Sequence, residues 1–126
     1  MFSIYKMSVG TTAPFRYLPR KTDEVIAVGE ALALDAGKLT KCAATAKPAY
    51  IAMGPADENG TVPCAEVQPH IEFMTTLSAA GAALNVGDKV TLHTDGLQVT
   101  ATTTAGVATI KQIFSADAGG EIIVSF

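Results

Sequence analysis

The chain has 126 residues, a net charge of -3, 48% hydrophobic and 17% charged side chains, and no tryptophan. That length suits one domain, and the scattered basic residues argue against nucleic acid, because phosphate binding gathers Lys and Arg on one face. No segment approaches the roughly 20 apolar residues that cross a bilayer, so a membrane partner is not expected and the chain is read as made in a cytoplasm.

Residues 1 to about 22 carry Phe2, Tyr5, Phe15 and Tyr17 but hold neither a strand nor a helix period for long. Pro14 and Pro19 discourage regular structure further, since each lacks a donor and restricts the residue before it. The segment reads as an N-terminal arm that orders on a partner, because aromatic residues are scarce in truly disordered tails. Residues 23–126 follow as a single β-rich domain.

Strands are expected over 24–28, 31–35 and 39–43, with a turn at Ala36-Gly37, and then over 48–54. Asp57, Glu58, Asn59 and Gly60 form a polar loop whose Asn-Gly pair is a hairpin signal. Residues 62–67 and 71–77 give the next two strands, and 78–83 suits a short helix or a loop. Strands over 89–94 and 98–103 flank Asp95-Gly96, which suits a type I′ turn. Residues 109–115 and 121–126 close the chain.

One phrase occurs twice. Val28-Gly29-Glu30-Ala31-Leu32-Ala33-Leu34 returns, without a gap, as Val86-Gly87-Asp88-Lys89-Val90-Thr91-Leu92, and Leu39 is matched by Leu97 at the same spacing. The related units run over about 28–54 and 86–112, and two such β-units packed together would explain them. Short strands spaced by turns, with at most one or two short helices, predict an all-β barrel or sandwich with an internal two-unit repeat.

Chemistry is sparse. His70 and His93 are the only histidines, and Ser78, Ser115 and Ser125 lie in no GxSxG context, so no catalytic residue is assigned. Cys42 and Cys64 leave open a disulfide, two buried thiols or part of a metal site; buried thiols are favoured, since no CxxC accompanies them and Cys packs as a small hydrophobe. No phosphate, dinucleotide or calcium motif occurs, and no metal or cofactor is expected. Thr100, Thr102, Thr103 and Thr104 suit a Thr-rich strand, either solvent-facing or ligand-binding.

On Val28 to Asp35, Gly37-Lys38-Leu39, Pro48 to Gly54, Val86 to Val90 and the closing Glu121-Ile122-Ile123-Val124, the chain resembles the small decoration, or cement, proteins of tailed-phage heads. The resemblance implies a non-enzymatic virion protein on the outer capsid surface, bound to the major capsid protein and self-associated as a trimer or other homo-oligomer. It also implies that the arm adds to a strand or loop of the capsid protein, which places Phe2, Tyr5, Phe15, Arg16, Tyr17 and Arg20 at the contact. A tail-tube or head-tail joining protein, and a glycan or cell-surface binding module, are the alternative readings.

Overall fold

The computed structural model describes residues 1–7, 14–42 and 44–126. The described residues contain ten strands: β1 (Ser3–Met7), β2 (Phe15–Pro19), β3 (Ala31–Asp35), β4 (Lys38–Lys41), β5 (Tyr50–Ala52), β6 (Thr61–Glu66), β7 (Ile71–Thr76), β8 (Lys89–Val90), β9 (Ala108–Ile113) and β10 (Glu121–Ser125). They form two antiparallel 5-stranded sheets, ordered β1-β7-β10-β9-β8 and β2-β6-β5-β3-β4. The expected all-β architecture is therefore present as two sheets, not as a closed barrel, and the described residues include no helix.

Each sheet contains one copy of the repeat, and the correspondence reaches the individual hydrogen bonds. Ala27-Val28-Gly29-Glu30 is a turn in which the Glu30 amide donates to the Ala27 carbonyl at 3.2 Å and the Ala27 amide donates to the Glu30 carboxylate at 2.9 Å. Asn85-Val86-Gly87-Asp88 repeats both bonds, at 3.1 and 2.9 Å. Gly29 and Gly87 sit at φ of +79° and +97°, a left-handed conformation that a side chain would strain, which is why the glycine recurs.

The ladders that follow keep the same register. Ala31 pairs with Ile51 and Leu32 with Tyr50, as Lys89 pairs with Thr109 and Val90 with Ala108. After β2, the Lys21 amide donates to the Leu39 carbonyl at 2.8 Å; after β7, the Ser78 amide donates to the Val99 carbonyl at 2.8 Å. Parallel bridges Arg20 to Leu39 and Leu77 to Val99 mark the same crossing in each half. The repeat thus extends beyond the expected 28–54 and 86–112, to β2–β6 on one side and β7–β10 on the other.

The copies part company at the second hairpin. Ala36 and Gly37 both adopt positive φ, 50° and 80°, and close β3 onto β4 as a two-residue turn. Around Asp95-Gly96 only Gly96 is left-handed, and the chain re-pairs two residues later, through Leu92 and Val99. Long-range bonds open this loop. The Leu97 carbonyl accepts from the Thr75 hydroxyl at 3.1 Å and from the Met1 amine, and the Gly96 carbonyl accepts from the Ala31 amide at 2.7 Å. The expected strands over 89–94 and 98–103 accordingly shrink to Lys89–Val90 and the bridging residues Leu92 and Val99.

Other expectations are corrected by the same bonds. Residues 24–28 form no strand, because Ala27 and Val28 are committed to the turn that opens β3. Of the two readings offered for residues 78–83, the loop is the one present. The largest correction concerns residues 1–22, whose described part is no free arm: β1 pairs with β7 and β2 pairs with β6. Pro14 and Pro19 bound an edge strand, where a missing donor costs little, instead of preventing one.

Two apolar clusters hold the fold. The larger draws Phe73, Leu77, Val90, Ile110, Ile122 and Val124 from the second half, together with Ala31, Cys42 and Ile51 from the first. Phe2 joins it with 1% exposure, its ring 5.7 Å from that of Phe126. The smaller cluster is confined to the first half, as Ile26, Leu32, Leu39, Ala52, Val62 and Cys64.

Candidate docking surface

β2 is an edge strand with β6 on one flank. The Glu66 amide donates to the Pro14 carbonyl, and the Arg20 amide to the Gly60 carbonyl, both at 2.9 Å. In an antiparallel ladder the bonding alternates, so Arg16 and Leu18 also face β6 and Phe15, Tyr17 and Pro19 turn their backbone groups the other way. Among the described residues no strand pairs with Phe15 or Tyr17 on that flank, and β4 meets only its far end, through the bridge between Arg20 and Leu39.

The side chains on this strand sort by face. Arg16 and Leu18 stand opposite the buried Cys64 and Val62, whereas Phe15 and Tyr17 project outward and are 47% and 73% exposed. Arg16 does not stand alone: its guanidinium lies 3.5 Å from the Glu66 carboxylate and 3.4 Å from the Phe15 carbonyl. The result is an aromatic face with its one neighbouring cation already paired.

The structure divides the six candidate contact residues. Phe15, Arg16 and Tyr17 share β2. Tyr5 is half exposed on β1, where the register shifts between Ile4 and Lys6 as at a β-bulge. Phe2 is buried and cannot meet a partner without unpacking the core. Arg20 has a scaffolding place, its Nη1 donating to the Glu24 carbonyl at 2.6 Å. Sequence reasoning found the aromatics but missed the open backbone edge; its trace is the alternation of Phe15 and Tyr17 between two prolines.

Elsewhere the polar groups are occupied by structure. Asp57 Oδ1 accepts from the Asn59 and Thr61 amides at 2.9 and 2.8 Å, which shapes the loop before β6. His93 Nδ1 lies 3.2 Å from Asp95. Burial pushes the Asp95 carboxyl up, but bonds from the Gln98 side chain, the Leu97 amide and His93 outweigh it and hold the group below its ordinary range. Thr91 and Thr100 bond each other at 2.7 Å.

Cys42 and Cys64 are buried thiols, and burial raises both to about 11. Such groups stay protonated and poorly nucleophilic near neutrality. Among the described residues no three His, Cys, Asp or Glu side chains converge as a metal site would require. A shallow depression of about 580 Å³ is lined mainly by alanines with Leu84, Asp88, Lys89 and Thr103, and Asp88 there already caps the Asn85 turn.

No protein-family model matches the chain, and no curated protein matches it.

Proposed function

We propose that this chain is a non-enzymatic structural part of a tailed-phage particle that decorates the outer face of the head and binds the major capsid protein. The observation that carries the proposal is the outward pair Phe15 and Tyr17 on an edge strand, a large apolar surface on a protein with few charges. Aromatic side chains bury much area at little entropic cost and dominate binding where they are central to a contact. Copies repeated by the symmetry of a shell would multiply weak contacts into firm attachment.

The glycan-binding alternative would use the Thr-rich region or the 55 to 61 loop, and within 98–103 Thr100 and Thr102 exchange backbone bonds with Thr91. The joining-protein alternative shares the same surface and is separated by experiment. Purified protein is mixed with empty shells assembled from the major capsid protein of the same virus and sedimented. The wild type is expected to sediment with the shells, and the double variant Phe15→Ser, Tyr17→Ser to lose roughly 100-fold in affinity. Failure of the wild type to bind, with rings or tubes formed by the protein alone, would overturn the decoration reading.

A further inference from the structure

The two halves treat one place beside the crossing differently. In the first half the Cys42 amide donates to the Ala31 carbonyl at 3.0 Å, so Thr40 shares its bonds with β3 while Leu39 and Lys41 turn the other way. There the Leu39 carbonyl accepts from the Lys21 amide, and the Lys41 amide donates to Glu24 Oε1 at 3.0 Å. In the second half Val99 stands at the place of Leu39, its carbonyl accepting from the Ser78 amide, which sets Thr100 and Ala101 at the places of Thr40 and Lys41. The Thr100 amide donates to the Thr91 carbonyl at 2.9 Å, so the Ala101 amide faces the loop over 78–84 as the Lys41 amide faces Glu24.

No acid answers it. Counted back from the Asn85 turn, Ala82 takes the position of Glu24, and residues 79–83 carry nothing larger than a methyl. Among the described residues the Ala101 amide has no acceptor. Ala101 instead lines the depression of about 580 Å³, together with Ala80, Ala82, Ala83, Leu84 and Lys89. Asp88 is on the same wall, its Oδ2 accepting from the Asn85 amide at 2.9 Å. Lys89 is exposed and, among the described residues, makes no ion pair, whereas Lys41 has Glu30.

We infer that this depression binds a carboxylate supplied from outside the chain, the glutamate side chain of a protein partner, at the place that Glu24 fills in the first half. The Ala101 amide offers the bond that the Lys41 amide gives Glu24, and Lys89 supplies a cation at the rim. The methyl groups and Leu84 suit the methylenes of a glutamate better than a bare anion. Asp88 disfavours a doubly charged ligand such as phosphate, whereas in the first half a single carboxylate coexists with the matching acid Glu30. One donor differs: the Thr40 hydroxyl serves Glu24 at 3.0 Å, but the Thr100 hydroxyl is held by that of Thr91 at 2.7 Å and by the Thr102 amide at 3.0 Å. With one amide and one exposed ammonium the hold is weak, which fits one anchor among several in a protein contact.

This binding stands apart from the shell reading and is tested on the purified chain without shells. The probe is N-acetylglutamate with its α-carboxyl amidated, which keeps only the side-chain carboxylate, titrated while the backbone amide resonances are followed. The Ala101 amide is expected to move to saturation, half-complete in the millimolar range, and the matching glutamine compound should leave it in place. Acetate, which lacks the methylenes, should act more weakly. Lys89→Gln should weaken the response to the probe roughly 3-fold. Ala82→Glu supplies the acid from within, so its Ala101 amide should exchange more slowly and ignore the probe. Glu24→Ala should open a second site, where the Lys41 amide also responds. An Ala101 amide of the wild type that ignores the probe, or that moves equally with the glutamine compound or with acetate, would overturn the inference, as would a full response in folded Ala82→Glu.

Discussion

In the second half of the chain Glu72 and Met74 turn their backbone groups to β1, whereas in the first half the matching Phe15 and Tyr17 turn theirs to a flank where no described strand pairs with them. The interiors differ in the same sense. Where β7 carries Phe73, buried and with its ring 6.0 Å from that of Phe126, β2 carries Arg16, exposed and held by Glu66. Opposite them, Val124 and Ile122 of β10 answer to the smaller Cys64 and Val62 of β6. In the second half β7 is covered by β1 and packed with apolar side chains, and in the first β2 leaves two aromatics exposed at an edge. A duplicated unit can stabilise itself with one copy and bind with the other.

The sharpest way to break this comparison is to truncate the matched inward positions. Phe73→Ala should cost about 3–5 kcal/mol in urea unfolding, by lost burial plus the cavity left behind. Arg16→Ala should stay within about 1 kcal/mol, because its ion pair is exposed at the surface. Equal losses at the two sites would contradict the division.

The repeated turns give a finer test. Gly29→Ala and Gly87→Ala each force a side chain into the left-handed region, at about 1–2 kcal/mol. At Gly87 the new methyl meets nothing within 4 Å, but at Gly29 it would lie 3.0 Å from the Phe2 carbonyl oxygen and overlap the Met1 side chain. Gly29→Ala should therefore lower the melting temperature more.

The acids of those turns come next in size. Glu30, 2% exposed, holds the Ala27 amide and lies 3.4 Å from Lys41, so Glu30→Ala should cost about 1–3 kcal/mol. Asp88 is less buried and makes only the Asn85 contact among those described, so Asp88→Ala should cost less when both are measured in denaturant.

The smallest effect is pH-dependent and concerns Glu24 in the first half. Glu24 Oε1 accepts from the Lys41 amide and the Thr40 hydroxyl, both at 3.0 Å, and the Lys41 bond leads in holding the carboxyl below its ordinary 4.5. A depressed folded value means that the stabilisation is present above pH 4.5 and fades as pH falls through the folded value. Glu24→Gln should flatten the acid limb of the stability curve in that window, with stability slightly below the wild type near neutrality and converging with it at low pH. Because the group is only partly buried, the difference should be small.

Much of the architecture was legible in the sequence because its devices leave compositional marks. A turn that needs a left-handed residue shows a glycine, and a carboxylate that caps it shows an acid, so Val28-Gly29-Glu30 and Val86-Gly87-Asp88 announced the repeat. The alternation of 71–77 with its buried Ile71, Phe73 and Thr75 was equally plain. The rest depended on distant partners. Residues 98–103 alternate like a strand, but Leu97 and Gly96 are drawn away by Thr75 and Ala31, and a local pattern holds no record of such bonds. β1 and β2 were hidden for a different reason: a bulge at Tyr5 and prolines at the ends of β2 break the period that marks an inner strand. Phe15, Arg16 and Tyr17 were found from residue type, whereas the open flank beside them required the ladder.

Site-resolved hydrogen exchange on dilute protein examines the contrast between the halves most directly. The Glu72 and Met74 amides should exchange slowly, sealed under β1, while Phe15 and Tyr17 exchange close to the rate of unprotected peptide. Strong protection of Phe15 and Tyr17 at dilutions where the chain is monomeric would mean that the β2 flank is already occupied, and the account of it as the binding edge would fail.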